Sequence, residues 1–174
     1  WRMTYLEGTL QIMKTSAKQE QLKIMIARLV EVYAEERDLD LNGYGNTTFC
    51  KLAKKRGLEP DECYCLGELR EVPDITIEVV ITSGGIDKLE VYRGLEVPEV
   101  WFWEDNQFLV YALQDSHYEL VPRSYLLPDL DLTLLVNYVN CANQTRAVKA
   151  YRVALRQISW GFLIIWSTEF IPLR

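Results

Sequence analysis

The chain is poor in the residues from which most nucleophilic and transition-metal sites are built. It has a single histidine, His117, and four cysteines, at 50, 63, 65 and 141, with no CxxC or other paired spacing. One histidine, with no serine or cysteine in a recognisable nucleophile motif, gives little support to a hydrolytic triad. The cysteine spacing indicates neither a zinc ribbon nor a disulfide framework. Cys63 and Cys65 read as small buried apolar groups on one face of a strand, and a reducing cytoplasm suits them. No GxGxxG or Walker sequence is present, so a phosphate loop for nucleotides is unsupported. Long apolar runs are missing too: Ile158 to Trp166 is interrupted by Ser159 and Gly161 and falls well short of the roughly 20 residues of a membrane span. The first ten residues lack a signal-peptide pattern, and a soluble protein is expected.

Positive charge is also in deficit. Nineteen Lys and Arg stand against 25 Asp and Glu, for a net charge of -6 and a pI of about 4.9. Such a molecule repels a phosphate backbone unless its basic residues are gathered on one face. Two clusters could do this: Lys51, Lys54, Lys55 and Arg56, and then Arg146, Lys149, Arg152 and Arg156. At 100° per residue the second group falls within about 120° of a helix circumference, which also describes the solvated face of an amphipathic helix. With 174 residues, 49% hydrophobic and 25% charged, the chain suits one globular domain.

What is present is concentrated in residues 58–92. GLEPDECYCLG and PDITIEVVITSGG each alternate with period two, which predicts two strands, and IDKLEVY begins a helical pattern. If Glu68, Leu69, Arg70 and Glu71 form the loop, Gly67 faces Val72 and, counting back, Asp61 faces Glu78. Two like charges directly opposite on one sheet face destabilise the pair, so a cation is expected between them. A hard divalent ion such as Mg²⁺, which takes one or two carboxylates and keeps waters, is the economical choice. Lys88, in the following helix, offers a further positive charge. Asp74 shares the strand face with Glu78 but lies about 13 Å away along the strand, and it reads as a turn residue.

An aspartate after proline, a glutamate on the next strand and a nearby lysine look like the PD-(D/E)xK nuclease arrangement. More specifically, GLEPDECYCLG, PDITIEVV, DKLEVYRGLEVPEVWFW and LPDLDLTLLVNYV in this order resemble the Uma-two family of bacterial putative restriction endonucleases. The resemblance covers roughly residues 5–156. It implies an α/β (α+β) restriction-endonuclease-like fold, a mixed central β-sheet flanked by helices, as one domain over 1–157 with an apolar tail over 158–174. It implies a Mg²⁺- or Mn²⁺-dependent hydrolase of DNA in the bacterial cytoplasm, with Asp61 and Glu78 as metal ligands and Lys88 as catalytic lysine. In the wider superfamily that lysine stands two residues after the glutamate, where this chain has Val80, so Lys88 acts from the helix. The superfamily often adds an acidic residue from its first helix, which makes Glu20 a further site candidate, although a first-turn glutamate also suits the helix dipole. The acidic net charge and the displaced lysine support a second reading, a catalytically silent binding or assembly module on the same fold. A small-molecule metal hydrolase is the third.

The remaining expectations are structural. Thr4 to Met13 suggests a short hairpin or edge strand. Ser16 and Gln19 form a capping box for a helix to about Arg37, with Leu22, Met25, Ile26, Leu29, Val30 and Tyr33 buried. A strand is expected within 47–52. Ser83 is expected to cap a helix starting near Ile86, and Gly94 to terminate it. Strands follow at Glu99 to Trp103 and Gln107 to Leu113 around an Asp105–Asn106 turn, with Val100 and Phe102 on one face and Trp101 and Trp103 on the other. Aromatics on both faces predict a sheet covered on both sides, and the two tryptophans favour core or homodimer contacts over base stacking. His117 reads as a turn residue before a strand over 118–121. A helical region to about Arg156 is broken near 141–143, and the tail ISWGFLIIWSTEFIPLR is β-prone and sticky.

Overall fold

The computed structural model describes the backbone of residues 1–81 and 85–167, and the side chains of these up to residue 157. It opens with a hairpin of β1 (Arg2–Leu6) and β2 (Thr9–Met13), turned at Glu7 and Gly8, both at positive φ. Helix α1 (Ala17–Glu36) follows, and the Ser16 side chain accepts from the Gln19 N–H as its cap. Short strands β3 (Leu41–Gly43), β4 (Phe49–Lys51) and β5 (Arg56–Leu58) lead to β6 (Glu62–Leu66) and β7 (Ile75–Val79). Helix α2 (Lys88–Leu95) connects to β8 (Glu99–Glu104), β9 (Gln107–Gln114) and β10 (His117–Val121), and helices α3 (Leu132–Val139) and α4 (Gln144–Ser167) complete the chain.

Among the described residues the strands form two sheets. The larger has the order β10-β9-β8-β7-β6-β3 and is antiparallel except between β7 and β8. That parallel pair needs a crossover, and α2 supplies it. The smaller sheet, β2-β1-β5-β4, is antiparallel throughout. The fold is thus α+β with a mixed central sheet.

Strand β7 is buried along its whole length. Ile75, Ile77 and Val79 join Trp101 and Trp103 in a core with α1, α3 and α4, where the whole expected stripe of α1 is also buried. On the opposite face Val100 and Cys63 pack with Val91, Tyr92 and Leu95 of α2, and Phe102 borders them. Both sheet faces are covered, as the aromatic alternation predicts, and the two tryptophans are core residues. No helix among the described residues is long and apolar enough to cross a membrane.

Several local expectations change. Helix α2 begins at Lys88, capped by Asp87, whose side chain accepts from the Leu89 N–H; Ser83 lies outside the described residues. The helix ends at Glu96 in the left-handed region, φ 65°, with Gly94 inside it. Gly94 serves close approach instead: a Cβ there would meet the Arg56 side chain at 1.9 Å. The strand expected over 47–52 contracts to β4, because a 3₁₀ turn over Leu52–Lys54 bends the chain away. His117 is the first residue of β10 rather than part of the turn. The tail continues α4 as far as Ser167 despite its β-prone composition, since extending a formed helix costs far less than nucleating a new element; residues 168–174 lie outside the described residues. The Asp105–Asn106 turn is as expected, with both φ values positive at 49° and 61°.

Candidate active site

The β6–β7 ladder pairs Glu62 with Ile77, Cys63 with Thr76 and Tyr64 with Ile75. One step further along this register Asp61 stands opposite Glu78, the alignment counted from the loop length. The parallel ladder then sets Glu78 beside Phe102. The two carboxylates are withdrawn from solvent, Asp61 at 1% exposure and Glu78 at 0%. Buried charges persist only with partners, and each has its own.

Glu78 is held by α2. Its Oε2 lies 2.6 Å from Lys88 Nζ, and its Oε1 accepts from the Tyr92 hydroxyl. Lys88 and Tyr92 are four residues apart and so lie on one helix face. Burial pushes the Glu78 carboxyl above the usual carboxylate range; the Lys88 charge opposes this and the Asp61 charge adds to it. Burial likewise drives the Tyr92 phenol well above its ordinary value, with the Glu78 charge adding to it. Tyr92 is therefore a donor to Glu78 and not an acid. Since Asp87 caps the turn that carries Lys88, Asp87→Ala should cost about 1 kcal/mol. Thermal denaturation should show this as a fall of about 2–4 °C.

Asp61 is held by the chain's first strand. Its Oδ2 accepts from the Val79 N–H at 2.7 Å, and its Oδ1 lies 2.9 Å from Arg2 Nη2. Arg2 Nη1 donates to the carbonyls of Pro60 and Glu59, which fixes the guanidinium. Glu20 enters through the same group, with Oε1 3.9 Å from Arg2 Nη2, and it also lies 3.6 Å from Lys23 Nζ. The structure thus joins Glu78 to Lys88 directly, and joins Glu20 to Asp61 only through Arg2. Asp74 is a hairpin residue as expected, accepting from the Leu66 N–H and from Arg70.

Sequence reasoning missed Arg2 and the role of the Tyr92 hydroxyl. The spacing of four from Lys88 was the available signal for Tyr92. For Arg2, a residue on a different sheet and 59 positions from Asp61, local pattern holds no signal.

The basic clusters are largely committed within the protein. Lys51 and Lys54 both bind Glu96, each at 2.7 Å, and Arg56 pairs with Glu7 and Glu90. On α4, Arg152 reaches Glu35 and Glu36, and Arg156 reaches Glu36. The Arg156 and Arg152 guanidiniums hold the Glu36 carboxyl down to about 2. The stripe read from α4 is in good part a helix–helix tie to α1.

A divalent ion fits the donor set. Asp61 Oδ1 is buried and has no aligned hydrogen-bond donor, although the Arg2 charge is near. Among the described residues no three His, Cys, Asp or Glu groups converge as ligands. The oxygen-only pair Asp61 and Glu78 suits a hard ion that keeps several waters. A cavity of about 350 Å³ opens beside Lys88, the partner of Glu78, and is lined among others by Val79, Gln11, Gln19 and Phe102.

Three comparisons bear on these observations. The chain is 25% identical over 145 residues to a threonine–tRNA ligase of Pyrobaculum neutrophilum, a match spanning 83% of this chain and 22% of that protein. It resembles the crystal structure of a putative nuclease belonging to DUF820 from Anabaena variabilis, with a TM-score of 0.56 at 16% identity, over 79% of this chain and 90% of that one. That likeness establishes the fold. The Uma2 family model, described as "Putative restriction endonuclease", matches residues 1–141. With most of its length matched, and with the strand pair that carries Asp61 and Glu78 inside the match, the chain belongs to the Uma2 family.

Proposed function

We propose that the protein is a divalent-metal-dependent endonuclease that hydrolyses DNA phosphodiester bonds, using Mg²⁺ or Mn²⁺. The observation that carries this reading is the opposition of two buried carboxylates on adjacent strands, with the Lys88 amine on one of them and a cavity beside it. The family description supports DNA as the substrate. Asp61 and Glu78 hold the metal, which would supply a water of lowered pKa and offset charge on the phosphate. Lys88, paired with Glu78, would orient the attacking water or stabilise the developing negative charge. Tyr92 retains its hydrogen bond and fixes the Glu78 rotamer. Arg2 and Glu20 set the angle of Asp61.

A second reading is a catalytically silent binding or assembly module. It is favoured by the ion pairs already present, since Arg2 and Lys88 neutralise the two carboxylates without a metal. Calorimetry with Mg²⁺ and Mn²⁺, followed by plasmid nicking, separates the two. The nuclease reading expects binding and nicking in the parent protein and the loss of both in Asp61→Ala. Failure of the parent to bind either metal would leave the module.

A homodimer belongs to the same proposal. Its support is the outer face of the smaller sheet, where Met3 pairs with Ile12 and Tyr5 with Leu10, and Met3, Leu10 and Ile12 are exposed. An apolar face of this kind is typical of an interface. Sedimentation should give a dimer for the parent and a monomer for Ile12→Lys, and a monomeric parent would end the idea.

A further inference from the structure

We propose that the cavity beside Lys88 receives one unpaired nucleobase, so that the substrate is a single-stranded or locally opened stretch of nucleic acid. This rests on the nuclease reading for its purpose, but not for its test. The floor of the cavity is the sheet face that carries the carboxylates. Glu78 stands beside Phe102 in the β7–β8 ladder, and Phe102 pairs with Leu109 across β8–β9, with Val100 and Tyr111 next along. Phe102 and Tyr111 form an edge-to-face pair, centroids 5.7 Å apart, and both line the cavity. Lys88 and Leu89 of α2 form one wall, and Gln11 and Met13 of β2 with Gln19 of α1 form another.

Size and chemistry select the ligand. About 350 Å³ lies at the small end of ligand pockets, and a double helix, whose major groove alone is about 12 Å wide, cannot enter it. An aromatic and aliphatic floor stacks any base, because every base has a π-face. The rim is built for base edges. Gln11 Oε1 accepts from the Ile86 N–H at 3.1 Å, which leaves its amide hydrogens to donate. Gly85, at φ +108°, lets that carboxamide lie where a Cβ would be only 2.0 Å from it. Glu104, also lining the cavity, is an acceptor suited to an exocyclic amine. A carboxylate there disfavours a phosphate inside the cavity and assigns the phosphate to the Lys88 side. Both placements come from a single sheet face, so a base in the cavity sets its own phosphodiester toward Lys88, the partner of Glu78.

Binding in EDTA tests this without catalysis, by fluorescence anisotropy at fixed salt. The probes are a short labelled oligodeoxynucleotide, its duplex, and the same backbone without bases. The single strand should bind about fivefold to a hundredfold more tightly than the base-free backbone, the effect of one base–aromatic stack, and more tightly than the duplex. In Gln11→Ala and Tyr111→Leu this preference should shrink toward unity. Equal binding of single strand, duplex and base-free backbone by the parent overturns the proposal, and so does an undiminished preference in both folded variants. Nicking of fully paired plasmid with no base preference would leave the nuclease standing and remove the pocket. Base preference without nicking would do the reverse.

Discussion

Glu78→Gln should abolish nicking, by about a thousandfold or more, while leaving the protein at least as stable at pH 8 as its parent. The reason is the sign of the Glu78 titration. Burial raises this carboxyl above its ordinary value of 4.5. Below that value both folded and unfolded chains carry the proton, and the group makes no difference. As pH rises past it the unfolded chain ionises first, so stability is lost until the folded group ionises as well. Glutamine removes this loss, and Lys88, 22% exposed, can turn to solvent. Thermal denaturation of the two proteins at pH 5 and pH 8 should therefore show the parent weakening between these values more than the variant. Mg²⁺ at a hundred times its Kd should restore about 2.7 kcal/mol to the parent and much less to Glu78→Gln. A variant clearly less stable than its parent at pH 8 would mean that the Lys88 and Tyr92 contacts outweigh desolvation, and that Glu78 is chiefly a structural ion pair.

The register that brings Asp61 to Glu78 was legible because side-chain alternation is strict and a loop length fixes which residues face each other. The same two-fold alternation revealed the two-sided burial of β8. The stripe of α1 and its Ser16 cap followed from periodicity and from hydrogen-bonding chemistry that acts within four residues. These are short-range causes, and short-range causes can be read along a chain.

The second half of the site has long-range causes. Arg2 reaches Asp61 because β1 pairs with β5 in the smaller sheet, and that pairing depends on how three-residue strands such as β4 and β5 find partners. Tyr92 lies one turn from Lys88 on the same helix face, but its hydroxyl acquires a role only because Glu78 is buried beside it. The basic clusters misled for the same reason. The helical spacing of the α4 group is right, but the carboxylates that bind the two clusters, Glu35, Glu36 and Glu96, come from other elements. Where charge is in deficit, an apparent basic stripe is more readily consumed by internal partners than left for a ligand.

Glu99→Ala should be among the most destabilising single changes in the chain, at about 3–5 kcal/mol, from donors left unsatisfied in the core. Glu99 sits at the start of β8 with 1% exposure, and its carboxylate gathers four donors. Oε2 accepts from Trp101 Nε1 at 2.9 Å and from the Ser124 hydroxyl at 2.7 Å, and Oε1 accepts from the backbone N–H groups of Tyr125 and Leu126 at 2.6 and 3.1 Å. No lysine or arginine is among these four donors, all of which are neutral groups. Truncation strands them in or near the core, each orphaned donor costing about 1–3 kcal/mol before any rearrangement. The segment they hold, Ser124 to Leu130, leads into α3, which packs on α1, while β8 itself flanks the strand carrying Glu78. Denaturant unfolding should report the loss, and the melting point should fall by about 10 °C. Glu99→Gln keeps the volume and one acceptor oxygen but turns an amide NH₂ toward the remaining donors, so it should fall between parent and Glu99→Ala. A loss under about 1 kcal/mol for Glu99→Ala would show that water replaces the carboxylate, and that the loop from Ser124 is held by its apolar contacts instead.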